Sequence, residues 1–237
     1  MTASIIRASE PVYELKGIPI RDGGEPLVDF LEHIPELVLD RPRFKYRRET
    51  LVRAGVAERL KMAISRLPIG YRLGMIEGWR PPHIQKRLYL ASWKLIKERH
   101  PEWSDVTLKR VVNRYTAPVG TRVPPPHTTG GAIDVVLLKD DLSVHDHQSP
   151  FEPFDPKCFS FDAPGLSDTA RRTREILQQI FDGTEITNYP SEYWHWSYGD
   201  QGWAYRGGHP TAIYGPIVPP GYIPDPADLT DAPVETA

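Results

Sequence analysis

Cysteine is nearly missing from this chain: Cys158 is the one such residue among 237. An internal disulfide is therefore excluded, and with it the class of small disulfide-stapled secreted domains. No histidine follows Cys158 within ten residues, so the reading is a half-buried thiol and not a nucleophile. Long apolar runs are missing too. Nothing approaches eighteen consecutive apolar residues, so no membrane helix is expected. Neither sign of charge dominates, with 29 Lys and Arg against 31 Asp and Glu and a formal net of -2. Without a basic stripe, nucleic acid is not an expected partner. The first ten residues, Met1 to Glu10, lack the apolar region of a signal peptide, so a cytoplasmic protein is expected. No internal repeat is visible, and nothing in the sequence speaks to oligomeric state.

Proline, by contrast, is abundant at 25 residues, gathered in connections and near the C-terminus. A chain of this length can bury a sizeable core as one large domain. Residues 1–223 are expected to form that domain, and 224–237 a Pro- and Asp-rich tail that is poorly ordered or draped on the surface. Near the N-terminus, Val12–Leu15 and Leu27–Leu31 are strand candidates between prolines. Glu49–Leu67 reads as a helix, from the recurrence of Leu51, Val52, Val56, Leu60, Ala63, Ile64 and Leu67, and Pro68 and Gly70 end it. A strand over Tyr71–Gly78 leads to Arg80 and two prolines. Helices are expected over His83–His100, over Ser104–Arg114 with Ser104 as cap, and over Ser167–Phe181 capped by Ser167 or Asp168. Leu142–Pro164 is expected to be a loop, and Ser197–Gln201 a turn back. The irregular alternation implies an α+β fold, a small mostly antiparallel sheet flanked by helices with site residues at strand ends.

One stretch gathers the chemistry. Pro124-Pro125-Pro126-His127 is stiff, Gly130-Gly131 is flexible, and Ala132–Leu137 is a β-rich apolar run carrying Asp134. This geometry brings His127 and Asp134 to one point. An unpaired carboxylate in an apolar strand would be costly, so Asp134 needs a partner, either a metal or the N–H groups of the glycine turn. A third ligand is available in Ser191-Glu192-Tyr193-Trp194-His195-Trp196. Hydrolytic zinc takes three protein ligands and keeps a fourth position open. His195 supplies an imidazole, and Glu192 a carboxylate suited to take a proton from the attacking water. A strand would point residues three apart to opposite faces, so this segment must turn if both serve one site. Tyr193, Trp194 and Trp196 would wall the site or fill the core. Arg80, fixed between Trp79 and Pro81, suits an oxyanion. His145 and His147 are rival ligands at a spacing of two, in a solvated loop.

His127-x-x-Gly130-x-Ala132-x-Asp134, followed by Glu192-x-x-His195, resembles the D-alanyl-D-alanine dipeptidases. These are zinc peptidases related to the vancomycin-resistance dipeptidase and, more distantly, to D,D-carboxypeptidases and the hedgehog signalling domain. Tyr71–Pro81, and the helix bearing Arg171, Arg172 and Arg174, share the likeness, which runs from about Val56 to Gly215. The resemblance implies a hedgehog-like, D,D-peptidase-like fold with one Zn²⁺ per chain bound by His127, Asp134 and His195. It implies Glu192 as catalytic base, Arg80 as support of the tetrahedral intermediate, and a cramped pocket for a small dipeptide. One position departs: Pro125 stands where the family usually has a serine, so a substrate-holding hydroxyl is absent. The expected reaction is zinc-dependent hydrolysis of D-Ala-D-Ala or a similar dipeptide. The alternatives are a carboxypeptidase or endopeptidase on longer wall peptides, and a non-catalytic zinc- or peptide-binding domain.

Overall fold

The computed structural model describes residues 10–113, 115–148 and 159–236. Its elements in chain order are α1 (Val12–Leu15), β1 (Leu27–Asp29), α2 (Phe30–His33), β2 (Val38–Leu39), β3 (Leu51–Arg53), α3 (Ala54–Ile64), β4 (Arg72–Glu77), α4 (Pro82–Arg99), α5 (Asp105–Val112), β5 (Ala132–Leu138), α6 (Asp168–Phe181), β6 (Thr187–Asn188), β7 (His195–Ser197) and α7 (Gln201–Gly207). A five-stranded sheet has the order β2-β4-β5-β7-β6, and β1 pairs with β3 in a separate ribbon. Only the β2–β4 pair is parallel, so the sheet is mostly antiparallel as the sequence implies. Cys158 lies outside the described residues.

The central strand β5 is buried along all seven residues. On one side Ile133, Val135 and Leu137 join the main core with Val56 and Leu60 of α3, Leu177 and Phe181 of α6, and Trp196 of β7. A strand covered on both sides reads as an unbroken apolar run, which is why Ala132–Leu138 shows no alternation. Helix ends follow their capping chemistry: Ser104 Oγ accepts from Thr107 N at 3.4 Å and Ser167 Oγ from Ala170 N at 3.0 Å. Asp200 does the same for α7, accepting from Trp203 N at 2.6 Å, so the turn after Ser197 leads into a helix.

Three local expectations change. Val12–Leu15 is a helical turn and not a strand. Pro11 O accepts from Glu14 N and Leu15 N, and Tyr13 is 88% exposed, so no sheet face exists for these residues. Leu27–Leu31 is strand only to Asp29, whose carboxylate then caps α2. The helix expected from Glu49 begins at Ala54, because Leu51–Arg53 pairs with Leu27–Asp29. Leu51 and Val52 suit either state, and a partner far away in sequence decides between them.

The segment after Gly215 is also packed. Val234 is 7% exposed against Ile84, Leu88, Phe44 and Tyr46, and Asp228 is buried.

Candidate active site

The approach to β5 is a single 3-10 turn, Pro126–Thr129, ended by Gly130 at φ 73°. A side chain there would be strained, and at Gly131 an added Cβ would lie 2.4 Å from Tyr198 O. The tight reversal sets His127 over the strand. Its Nδ1 lies 2.9 Å from Gly78 O, a carbonyl that can only accept, so Nδ1 carries the proton and Nε2 keeps its lone pair. Asp134 and His195 are placed by register: they are direct partners across the antiparallel β5–β7 pair.

The turn before β7 answers the problem of residues three apart. His195 N donates to Glu192 O at 3.1 Å, closing a turn. The Asn188 amide donates to Glu192 O and to His195 O, both at 3.0 Å, and pins its two ends. Glu192, Trp194 and His195 thereby line one cavity with His127, Asp134 and Arg80. Tyr193 and Trp196 are not in that lining and, with Trp194, belong to the core.

His127, Asp134 and His195 are all buried, and one donor atom of each lies within 4.8 Å of the others. His195 Nδ1 lies 2.9 Å from Asp134 Oδ1 and 3.2 Å from His127 Nε2, and His127 Nε2 lies 3.3 Å from Asp134 Oδ2. Bonds of about 2.0 Å to a tetrahedral zinc separate neighbouring donors by about 3.3 Å. The nearest distances are close to that size, with Asp134 turning one oxygen to each imidazole. The triangle's lone pairs outnumber the protons available, because His127 spends its N–H on Gly78, so the donor set fits a cation. Burial alone would raise the Asp134 carboxyl, but His127 and His195 outweigh it and hold it well below the usual carboxylate range. His195 is shifted down, chiefly by burial.

Arg80 and Glu192 flank this triangle. A register shift between Met75 and Glu77 sets Glu77 opposite Asp134. The Arg80 guanidinium pairs with Glu77 through Nη2, donates from Nη1 to Gln85 Oε1 at 2.7 Å, and comes within 3.9 Å of Asp134. Tyr46 OH donates to the other oxygen of Glu77 at 2.5 Å. Burial opposes the Arg80 charge, yet Glu77, Tyr46 and Asp134 outweigh it and keep the guanidinium protonated. Burial lifts the Glu192 carboxyl to about 8; the Asp134 charge adds to the rise and Arg80 opposes it. Such a group gains and loses a proton close to neutrality.

The rival histidines are elsewhere. His147 accepts from Leu137 N at 3.1 Å through Nε2 and donates to His145 O at 2.7 Å, and His145 stacks on Tyr71. Arg174, also buried, braces loops through Ser160 O and His147 O. The sequence reading missed Tyr46, Glu77, Gln85 and Asn188. Only Glu77 carries a signal: a carboxylate in the apolar run Met75-Ile76-Glu77-Gly78, three residues before an arginine, requires a partner. Pro125 also lies in the lining of this cavity.

A buried triangle of side chains that could hold a metal, beside a carboxyl and an arginine in a mostly antiparallel sheet, is an arrangement that suits a metal-dependent hydrolase. The chain belongs to the peptidase family M15, described as D-ala-D-ala dipeptidase, whose model matches residues 37–213. It is thus a peptidase. It is 26% identical to a D-alanyl-D-alanine dipeptidase of Synechocystis sp. over 229 residues, covering 83% of this chain and 91% of that protein. Among solved structures it is similar to the vancomycin-resistance D,D-pentapeptidase VanY in complex with Zn(II), at 16% identity, TM-score 0.40, and 72% and 93% coverage of the two chains. The LdcB LD-carboxypeptidase is similar at 18% identity, TM-score 0.38, and 76% and 70% coverage.

Proposed function

We propose that the chain is a zinc-dependent dipeptidase acting on D-Ala-D-Ala or a similarly small dipeptide, with one zinc per chain. The reading rests on the convergence of His127 Nε2, Asp134 and His195 Nδ1 within 3.3 Å of one another, in a cavity shared with Glu192 and Arg80. Two imidazoles and a carboxylate suit zinc, and leave a coordination position for the reaction. When bound, zinc is a Lewis acid that acidifies water and polarises a carbonyl. Glu192 takes the proton of the attacking water and delivers it to the leaving amine. Arg80, held by Glu77 and Gln85 in a fixed pose, faces the charge that grows on the carbonyl oxygen. Gly78 O holds the His127 ring in the tautomer that presents Nε2.

The test is D-alanine release from D-Ala-D-Ala by the purified protein, before and after chelation and with zinc added back. Release that chelation abolishes and zinc restores is expected. Release that survives full chelation would remove the metal from the account. A second reading draws on the extent of the cavity. Its lining continues from the triangle to Trp103 and Tyr115, which favours a D,D-carboxypeptidase acting on longer peptides. A panel running from D-Ala-D-Ala to pentapeptides ending in D-Ala-D-Ala separates the two by the ratio of kcat/KM.

A further inference from the structure

The family match ends at residue 213, yet the chain continues and turns back onto the site. Ile217 N donates to Thr128 O at 3.0 Å, next to His127, and Ile217 O accepts from the Trp79 indole at 2.9 Å, next to Arg80. The Tyr222 ring meets Trp79 edge-on at 5.0 Å. Beyond it, Asp228 forms a latch. One oxygen accepts from Arg47 N at 2.9 Å and the other from Arg87 Nη1 at 2.5 Å, with Asp228 and Arg87 both buried. Arg87 Nε also donates to Ala232 O at 3.0 Å. Acidic side chains then meet basic ones along the way: Asp231 lies 2.7 Å from Lys86, and Glu235 3.2 Å from Lys45. Phe44 and Thr236 form an antiparallel bridge, Lys45 N donates to Glu235 O at 2.8 Å, and Val234 shares an apolar cluster with Ile84 and Leu88 against which Tyr46 packs.

Tyr46 matters most, because its backbone neighbours Lys45 and Arg47 both donate to this segment and it is the first member of a chain that reaches the site. Its hydroxyl holds Glu77, and Glu77 pairs with Arg80. We propose that residues 217–236 act as a strap that positions Arg80: latched by Asp228, it seats Tyr46, and Tyr46 fixes the carboxylate that orients the guanidinium. The idea rests on the function proposed above in giving Arg80 its part in the reaction. Tyr46 and Asp228 are positioning residues. They act through Glu77, and no contact of theirs with substrate is invoked. The strap's residues 232–236 also line the cavity.

The test uses the full chain with Tyr46→Phe, Asp228→Ala and the double variant. Tyr46→Phe keeps the ring against the cluster of Ile84, Leu88 and Val234 and removes only the hydroxyl. Since Arg80 serves the transition state, each single change is expected to lower kcat on D-Ala-D-Ala about tenfold with KM within about twofold. Because both act through one chain, the double variant is expected to be no slower than the slower single. Losses that multiply, or that fall on KM alone, overturn the strap. Hydrogen exchange supplies a readout independent of turnover. In Asp228→Ala, peptides spanning 76–80 are expected to exchange faster while those of α3 stay unchanged. Unchanged exchange over 76–80 overturns the proposal, as does equal acceleration everywhere. A wild type that releases no D-alanine counts against the proposed function, and the exchange experiment then still decides the strap.

Discussion

The two sides of the site are held in different ways. The triangle His127–Asp134–His195 is held by backbone: a glycine turn, the β5–β7 register, and an Asn188-pinned turn that ends in His195. Arg80 is held by side chains, through Glu77, Gln85 and, at one remove, Tyr46. Ladder register is quantised, because a slip of one residue would turn Asp134 and His195 to the other face. A side-chain network has no such lock and depends on every member being satisfied. The metal side should therefore fail all at once, and the arginine side by degrees.

The sharpest break in that contrast is His195→Ala. It removes a corner of the triangle, so bound zinc should be lost with essentially all activity, as read by metal analysis of the purified variant. A variant that keeps a full complement of zinc would take His195 out of the ligand set. Glu192→Gln should keep zinc while kcat falls by about three orders of magnitude, since only the proton carrier is lost. Near wild-type turnover would dismiss Glu192 as base. Arg80→Lys keeps a charge but loses the fork that joins Glu77 and Gln85, and kcat should drop about a hundredfold with zinc retained. Co-loss of zinc would show that the two sides are not separate.

The smallest effect concerns stability away from the site. Burial lowers His147 from 6.5 to about 3. The folded state thus resists the proton that the unfolded chain accepts. This contribution is complete above an unfolded value of about 6.5 and is lost as pH falls toward about 3, on the order of 3 kcal/mol by pH ~4. Urea unfolding of wild type and His147→Gln across that range should show a flatter profile for the variant. Parallel profiles would rule His147 out as the cause.

The same contrast explains what could be read from the sequence. The triangle was legible because its causes are local: prolines before His127, paired glycines, an acid inside an apolar strand, and a Glu three residues before a His. The helices α4, α5 and α6 were legible from apolar spacing and caps, within a residue or two. The β1–β3 ribbon was not, because Leu51–Arg53 becomes strand only through partners at Leu27–Asp29. Nor was the packing of residues 217–236. Prolines and acids suggest a tail that is poorly ordered or draped on the surface, and what it lies against is set only when Arg87, Lys86 and Lys45 are brought opposite Asp228, Asp231 and Glu235. Tyr46 has no signature in the sequence, since its role exists only through Glu77, across 31 residues.

The most direct test of the central claim is X-ray absorption at the zinc edge on the purified, zinc-loaded protein. One zinc per chain is expected, with two imidazole nitrogens and the remaining ligands oxygen at about 2.0 Å. A shell with sulfur, with a third imidazole, or with no zinc taken up would contradict it.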